Sequence, residues 1–205
     1  MDFWLTYSGP LQATQRDPLD GQPPKHAQNR KDIRRCFHHQ LKRLWDVAPA
    51  LNGKSKTDAL LLESSVPTPA TSIADLSHKH ARYGFNFVPL VTSELDLLCE
   101  LDVLMLRPDR PGAVWDGDID NRVKTLFDAM SVPVAGENYA SLVPQQDEQP
   151  FFVLLEDDKL LTKISVTTDR LLQSVPGDSE KAAVRLFIHV KTRPYAANLH
   201  NLHFA

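Results

Sequence analysis

The residues best suited to chemistry are acidic and lie between positions 116 and 128. Asp116, Asp118 and Asp120 fall within one short stretch, and Lys124 and Asp128 follow at steps of four. At about 100° per residue, the last three of these side chains share one edge of a helix. Carboxylates are ligands that Mg²⁺ prefers, and an ammonium group stabilises charge on a phosphate. This edge is therefore suited to a divalent metal ion beside a phosphate.

The same stretch predicts the helix that must position these groups. Its apolar residues follow the spacing of one buried helical stripe: Ile119, Val123, Leu126, Phe127 and Met130. We expect the charged edge to border this stripe and not to lie opposite it. A second acidic cluster, at residues 156–158, follows a short apolar run that predicts a strand.

Structural roles explain part of this pattern. A calcium loop does not fit, because its sixth position is Asn121 where glycine is needed and its twelfth is Phe127 where glutamate is needed. Helix capping accounts for Asp118 and Asp120, since carboxylates favour the positive end of a helix. A polar turn between two strands accounts for the second cluster. Capping does not explain the lysine and the third aspartate on the same edge.

Taken together, the two clusters resemble the RusA family of Holliday-junction resolvases. The matching pattern is D-x-D-N-x-x-K-x-x-x-D-A, from Asp118 to Ala129, followed by an Asp-Asp pair at positions 157 and 158. The resemblance implies a small mixed α/β subunit that forms a homodimer and binds branched DNA. It also implies cleavage with Mg²⁺, for which Mn²⁺ could substitute, and a role in DNA recombination and repair.

The resemblance further implies a role for each matching residue. Three positions match the metal-binding, catalytic aspartates: Asp118, Asp120 and Asp158. Lys124 matches the catalytic lysine, which we expect to contact the phosphate or the transition state. Asp157 and Asp128 match further aspartates, and we assign them secondary roles.

Cationic residues that could contact DNA phosphates are concentrated in a predicted first helix, residues 30–45. Its cations are Arg30, Lys31, Arg34, Arg35, Lys42 and Arg43. They form either a solvated helix face or a phosphate-binding surface. Arg107 and Arg110 extend this set, and they are all that remains of the Arg-rich run that the family has before its first aspartate. His38 and His39 are adjacent and point about 100° apart, so we do not treat them as metal ligands.

The order of the elements predicts the fold. Strands are expected at residues 2–8, 82–87, 95–106, 151–155, 163–168 and 183–192, with short helices at 58–63 and 72–80. We expect an α+β fold in which two main helices cover one face of a mixed sheet of about five to six strands. The chain would be a single domain, 1–205, with loop insertions around 46–80 and 131–150. The tail from residue 194 is expected to be loosely attached.

Composition is that of a globular protein. The chain has 205 residues, 42% hydrophobic and 24% charged, with a formal net charge of −3. That charge argues against a generic nucleic-acid binder but leaves room for a local basic face. Cys36 and Cys99 provide no disulfide framework, and no signal peptide or long apolar run is present, so we expect a cytoplasmic protein with no membrane segment.

These patterns predict a magnesium-dependent, structure-selective endonuclease that cleaves phosphodiester bonds in branched DNA. Two alternatives keep the same fold. One is a catalytically inactive, RusA-like module that only binds nucleic acid, and the other is a nuclease acting on another DNA or RNA structure. A third alternative, a purely structural protein with capped helices, explains the acidic residues separately but not their combination.

Overall fold

The computed structural model describes residues 1–13, 25–48, 51, 72–108, 119–134, 143–172, 183–198 and 201–204. Its helices are α1 (Lys25–Val47), α2 (Ile73–Lys79) and α3 (Ile119–Met130). Its strands are β1 (Asp2–Pro10), β2 (Ala81–Arg82), β3 (Phe85–Val91), β4 (Leu97–Arg107), β5 (Phe151–Leu155), β6 (Leu161–Arg170) and β7 (Ala183–Pro194). Short 3₁₀ turns cover Asp158–Leu160 and Leu202–Phe204.

The strands form two sheets, which differs from the single sheet expected from the sequence. One has four strands in the order β1-β7-β4-β6, and the other has three in the order β2-β3-β5. In the larger sheet β7 is antiparallel to both β1 and β4, while β6 is parallel to β4. β3 and β5 pair with each other in parallel and not with the larger sheet. The predicted α+β class is confirmed.

The core lies between α1 and one face of the larger sheet. On β4 and β7 every second side chain is buried, as the alternation in the sequence predicts, and the buried set is Leu97, Cys99, Leu101, Val103, Met105, Val184, Leu186, Ile188 and Val190. α1 contributes Ile33, Phe37 and Leu41 to the same cluster. Each such side chain contributes roughly 1.5–3 kcal/mol when it leaves water. This burial fixes α1 across the sheet.

The carboxyl-terminal segment is docked, so the expectation of a loosely attached tail is wrong. Asn201 is fully buried, and its amide donates to the Leu95 carbonyl at 2.9 Å. Phe204 is 3% exposed and belongs to the core. The amino-terminal ammonium group donates to the carbonyls of Thr192 and Phe204, at 2.7 and 2.9 Å. The two ends of the chain therefore hold each other in place.

Other sequence expectations have mixed outcomes. The helix expected at residues 72–80 is present as α2, while that expected at 58–63 lies outside the described residues. The helix predicted at 30–45 is longer and begins at Lys25. No helix in the described part of the chain is both long enough and apolar enough to span a membrane.

Candidate active site

The first candidate residues lie on α3. Asp120 is in the first turn of the helix and is exposed, and its carboxylate accepts a hydrogen bond from the Asn121 N–H at 2.9 Å. Lys124, one turn later, is also exposed and has no ion pair within the described residues. Asp116 and Asp118 lie outside the described part of the chain. The fold thus leaves one carboxylate and one ammonium group of the predicted edge facing solvent.

The buried face of α3 differs from the predicted apolar stripe. The side chains that it buries are Arg122, Thr125, Leu126, Ala129 and Met130, and Ile119 is 40% exposed. Arg122 is buried because its guanidinium donates to the Leu11 carbonyl at 2.6 Å, just beyond the end of β1. At about 100° per residue, this rotates the buried face by roughly 75°. The edge with Asp120 and Lys124 therefore lies nearly opposite the buried face, and the expectation that it borders that face is wrong.

Asp128 has a partner within the protein. Its carboxylate is paired with the Arg30 guanidinium at 3.4 Å, and its carbonyl accepts a hydrogen bond from Arg34. Both arginines lie on α1, and Arg34 is only 1% exposed. Asp128 therefore joins α3 to α1, which gives it a role in packing.

The second acidic cluster is a turn that leads from β5 into β6. The carboxylate of Glu156 accepts hydrogen bonds from the N–H and the hydroxyl of Ser93, both at 2.8 Å. Burial raises the pKa of Glu156, but these two bonds outweigh it, so the pKa is lowered overall. Asp157 caps the 3₁₀ turn by accepting the Lys159 N–H at 2.9 Å, and this bond lowers its pKa. Asp158 is exposed.

The strand registers place Asp120 and the acidic turn at opposite ends of the larger sheet. Leu161, just after the acidic turn, pairs with Cys99 near the start of β4. At the other end Leu106 pairs with Arg185, which pairs with Ser8 on β1. From Cys99 to Leu106 the strand rises about 23 Å, at roughly 3.3 Å per residue.

The position of α3 follows from this layout. Arg122 reaches Leu11, which lies beyond Ser8 on the β1 side of that far end. The carboxyl-terminal end of α3 instead meets the end of β5, where the Val132 N–H donates to the Leu155 carbonyl at 3.0 Å. Asp120 and Asp158 are thus separated by on the order of 20 Å along the sheet. One chain does not bring these two carboxylates together.

The described residues contain no group of three or more carboxylate, imidazole or thiol side chains that could hold a metal ion, which agrees with this separation. The donor types suit Mg²⁺, which binds through one or two carboxylates and keeps several waters. Asp157 and Asp158 provide carboxylates of the kind that Mg²⁺ binds. Asp118 lies outside the described residues. Among the described residues of one chain, Asp120 does not converge with Asp157 and Asp158.

The predicted DNA-binding cations of α1 contact the protein itself. The Arg35 guanidinium is paired with Glu148 at 2.6 Å, and Lys42 donates to the Asp147 carbonyl at 3.1 Å. Lys31 and Arg34 are buried, as is Arg107 on β4, whereas Arg43 is exposed and Arg110 lies outside the described residues. Neither sequence-based alternative anticipated this outcome, because a count of cations does not show which acceptors the fold brings to them.

His38 is part of the same intramolecular contact. Its ring is fully buried; one nitrogen accepts the Phe152 N–H at 2.9 Å and the other lies 3.1 Å from the Asp147 carbonyl. Burial lowers the pKa of His38. This structural role agrees with the decision not to treat it as a metal ligand. The exposed Lys159, 3.6 Å from Asp157, was missed as a candidate although it directly follows the acidic pair in the sequence.

Comparison with known proteins gave no match to any family model and no match among curated proteins. The resemblance to RusA resolvases therefore rests on the motif residues themselves.

Proposed function

We propose that the protein is a metal-dependent endonuclease that cleaves branched DNA. The observation that best supports this is the exposure of Asp120, Lys124 and Asp158 in a chain that uses most of its neighbouring charges for packing. Exposed charged groups that do not join one element of the fold to another are available to a ligand. The motif that these residues form is complete, as the RusA resemblance requires.

In this proposal Asp118, Asp120 and Asp158 hold Mg²⁺ or Mn²⁺. When bound, the ion supplies Lewis acidity and a water of lowered pKa for hydrolysis of a phosphodiester. Lys124 lies one turn from Asp120 on the same face of α3, so its ammonium group would be able to contact a phosphate bound next to Asp120. Asp157 fixes the turn that presents Asp158, through its bond to the Lys159 N–H.

The separation of Asp120 from Asp158 means that a metal site using both residues requires a second copy of the chain. Asp120 and Asp158 lie at opposite ends of the sheet within one chain. A single metal site that uses both must therefore combine Asp120 of one copy with Asp158 of another. The homodimer expected from the resemblance supplies that second copy, and twofold symmetry would create two such sites.

The internal pairing of the α1 cations favours one alternative, a nuclease acting on another DNA or RNA structure, because fewer of these cations remain to contact the phosphates of branched DNA. Each phosphate contact that the protein does not make lowers both its affinity for nucleic acid and the salt dependence of that affinity. A panel of four-way, flap, duplex and RNA substrates, assayed with Mg²⁺ and with Mn²⁺, would identify the preferred structure. Absence of cleavage on every substrate, with binding retained, would favour the inactive binding module instead.

Substitution provides the direct test. We expect Asp158→Asn to reduce cleavage of the preferred substrate to background while the circular dichroism spectrum and DNA binding stay unchanged. Lys124→Ala should lower the cleavage rate about 10²–10³-fold, the cost of losing one group that stabilises developing charge. Asp32→Asn, an exposed carboxylate on α1, is the matched control. Wild-type cleavage by Asp158→Asn would refute the proposed site.

A further inference from the structure

The two edge strands of the larger sheet, β1 and β6, differ in how far other elements cover them. At the β1 edge, the Gln40 side chain of α1 makes two hydrogen bonds to the backbone of Thr6, at 2.9 and 2.7 Å. Asn29, also on α1, donates to the Pro10 carbonyl at 2.7 Å. At the other edge, β6 pairs only with β4 in the part of the chain that the structure describes. α1 closes one edge and leaves the other open.

β6 has the properties of a strand that pairs with another chain. It is ten residues long, contains no proline or glycine, and is rich in β-branched residues. Natural proteins usually protect such an edge with proline, a bulge, a very short strand or charged side chains. β6 has one register shift, at Thr162, and charged side chains only towards its ends, so the stretch between Lys163 and Asp169 is regular and uncharged. Ile164 remains 45% exposed on it, and Leu172, just past its end, is 89% exposed. The backbone and the apolar side chains of this edge both lack a cover in the described residues.

The sequence of β6 is complementary to itself when two copies run antiparallel. A twofold axis at Val166 sets Val166 against Val166 and Ile164 against Thr168 of the second copy. The same register sets Lys163, which lies 3.4 Å from Asp102 of its own copy, against Asp169 of the second copy, so each lysine would gain a second carboxylate partner and two opposite-charge pairs would form. Shifting the axis by one residue along the strand breaks both charge pairs.

We propose that two copies of this chain pair through β6, antiparallel and centred on Val166, to form one continuous eight-stranded sheet. The second copy is inverted, so the Asp158 end of one β6 lies beside the Arg170 end of the other. The latter is the end of the sheet at which β4 finishes and the chain continues towards Asp118. The pairing thus puts Asp158 of one copy at the same end of the continuous sheet as Asp120 of the other, which lies towards β1. Only this last consequence rests on the proposed nuclease function.

Cross-linking tests the register without DNA or metal. In a Cys36→Ser background the remaining native cysteine, Cys99, is fully buried. Val166→Cys places two thiols at the axis, with Cβ atoms about 4.5–5.5 Å apart, which is close to disulfide geometry. We expect mild oxidation to convert most of this variant to a covalent dimer. Ile164→Cys, on the same strand and face, lies four residues from its own copy and should remain uncrosslinked.

Equal cross-linking of the two cysteine variants, or no cross-linking of Val166→Cys, would overturn the proposed register. A monomer by light scattering at high protein concentration would overturn the interface altogether. Both readouts are independent of cleavage. An active dimer that does not cross-link through Val166→Cys would therefore refute this interface alone, and an inactive dimer that does cross-link would refute the proposed function alone. A nuclease that stays monomeric would refute both the interface and the two-copy metal site.

Charge exchange gives a second test. Asp169→Lys sets two lysines against each other at both ends of the paired strands, and we expect it to raise the dimer dissociation constant about 10-fold or more. The double variant Lys163→Asp with Asp169→Lys restores opposite charges and should recover most of the affinity. Unchanged dimerisation of Asp169→Lys, or no recovery in the double variant, would contradict the pairing of these two residues.

Discussion

Charged residues in this protein fall into two groups that the sequence alone does not separate. Arg34, Arg35 and Asp128 make contacts that hold α1 to α3 and to the segment before β5. Asp120 and Lys124 are exposed although they lie on the same helix as Asp128. Motif spacing identified the candidate residues. It could not show that Arg122 would turn α3 by burying its guanidinium against the Leu11 carbonyl.

Arg34 tests the packing role assigned to the α1 cations. Arg34→Ala should lower the free energy of unfolding by about 3 kcal/mol, because it removes a buried cation and leaves its hydrogen-bond acceptors unsatisfied. The measurement is urea denaturation of the purified variant. Arg43→Ala, on the same helix but exposed, should change stability by less than about 0.5 kcal/mol. Equal effects of the two substitutions would contradict the packing role.

His38 predicts a pH dependence of stability. Burial lowers its pKa in the folded protein below the ordinary value of 6.5. The unfolded chain therefore takes up this proton first, and stability should fall as the pH drops from about 6.5 through the folded pKa. Above the unfolded pKa the stabilisation is fully present. Protonation would also remove the acceptor for the Phe152 N–H.

The measurement for His38 is denaturant unfolding between pH 5 and pH 8. His38→Gln should flatten the pH profile, and His39→Gln, which leaves the buried ring of His38 in place, should keep most of it. Parallel pH profiles for the wild type and His38→Gln would show that the His38 imidazole does not cause the pH dependence of stability.

At the scale of the elements, prediction succeeded where one face of a strand is buried along its length. β4 and β7 were found at or near their expected positions, because the register of a strand is fixed when the side chains of one face must leave water. β5, which buries all five of its residues, was found from its short apolar run. β3 differs, since it continues through Pro89 to Val91. Proline is tolerated there because β2 pairs only with Phe85 and Asn86, which leaves one side of β3 open at Pro89.

The turn between β2 and β3 predicts the effect of a glycine substitution. Tyr83 and Gly84 have φ of 54° and 78°, as a tight hairpin turn requires, and a Cβ at Gly84 would meet no atom within 4 Å. Gly84→Ala should therefore cost about 1 kcal/mol of stability through backbone strain alone. Gly84→Asn should cost less, because asparagine tolerates this conformation. Thermal unfolding of both variants is the measurement, and a larger loss with asparagine would contradict the argument.

At the scale of the whole molecule, topology decides what the candidate site can do. The sequence showed two acidic clusters and a resemblance that joins them in one metal site. It could not show that β6 runs parallel to β4, which sends the acidic turn to the start of β4 while α3 begins near its end. The same long-range pairing placed β3 and β5 in a second sheet and docked the tail on the core. Contacts between residues far apart in the chain leave no local pattern to read.

The central claim is that Asp120 and Asp158 of different copies form one metal site, and subunit complementation tests it most directly. Asp120→Asn and Asp158→Asn are each expected to be inactive on the preferred DNA substrate with Mg²⁺. After mixing and subunit exchange, half of the dimers are mixed and each has one intact site of two. The account therefore predicts recovery of about a quarter of the wild-type cleavage. No recovery, with exchange confirmed by differently tagged subunits, would contradict it.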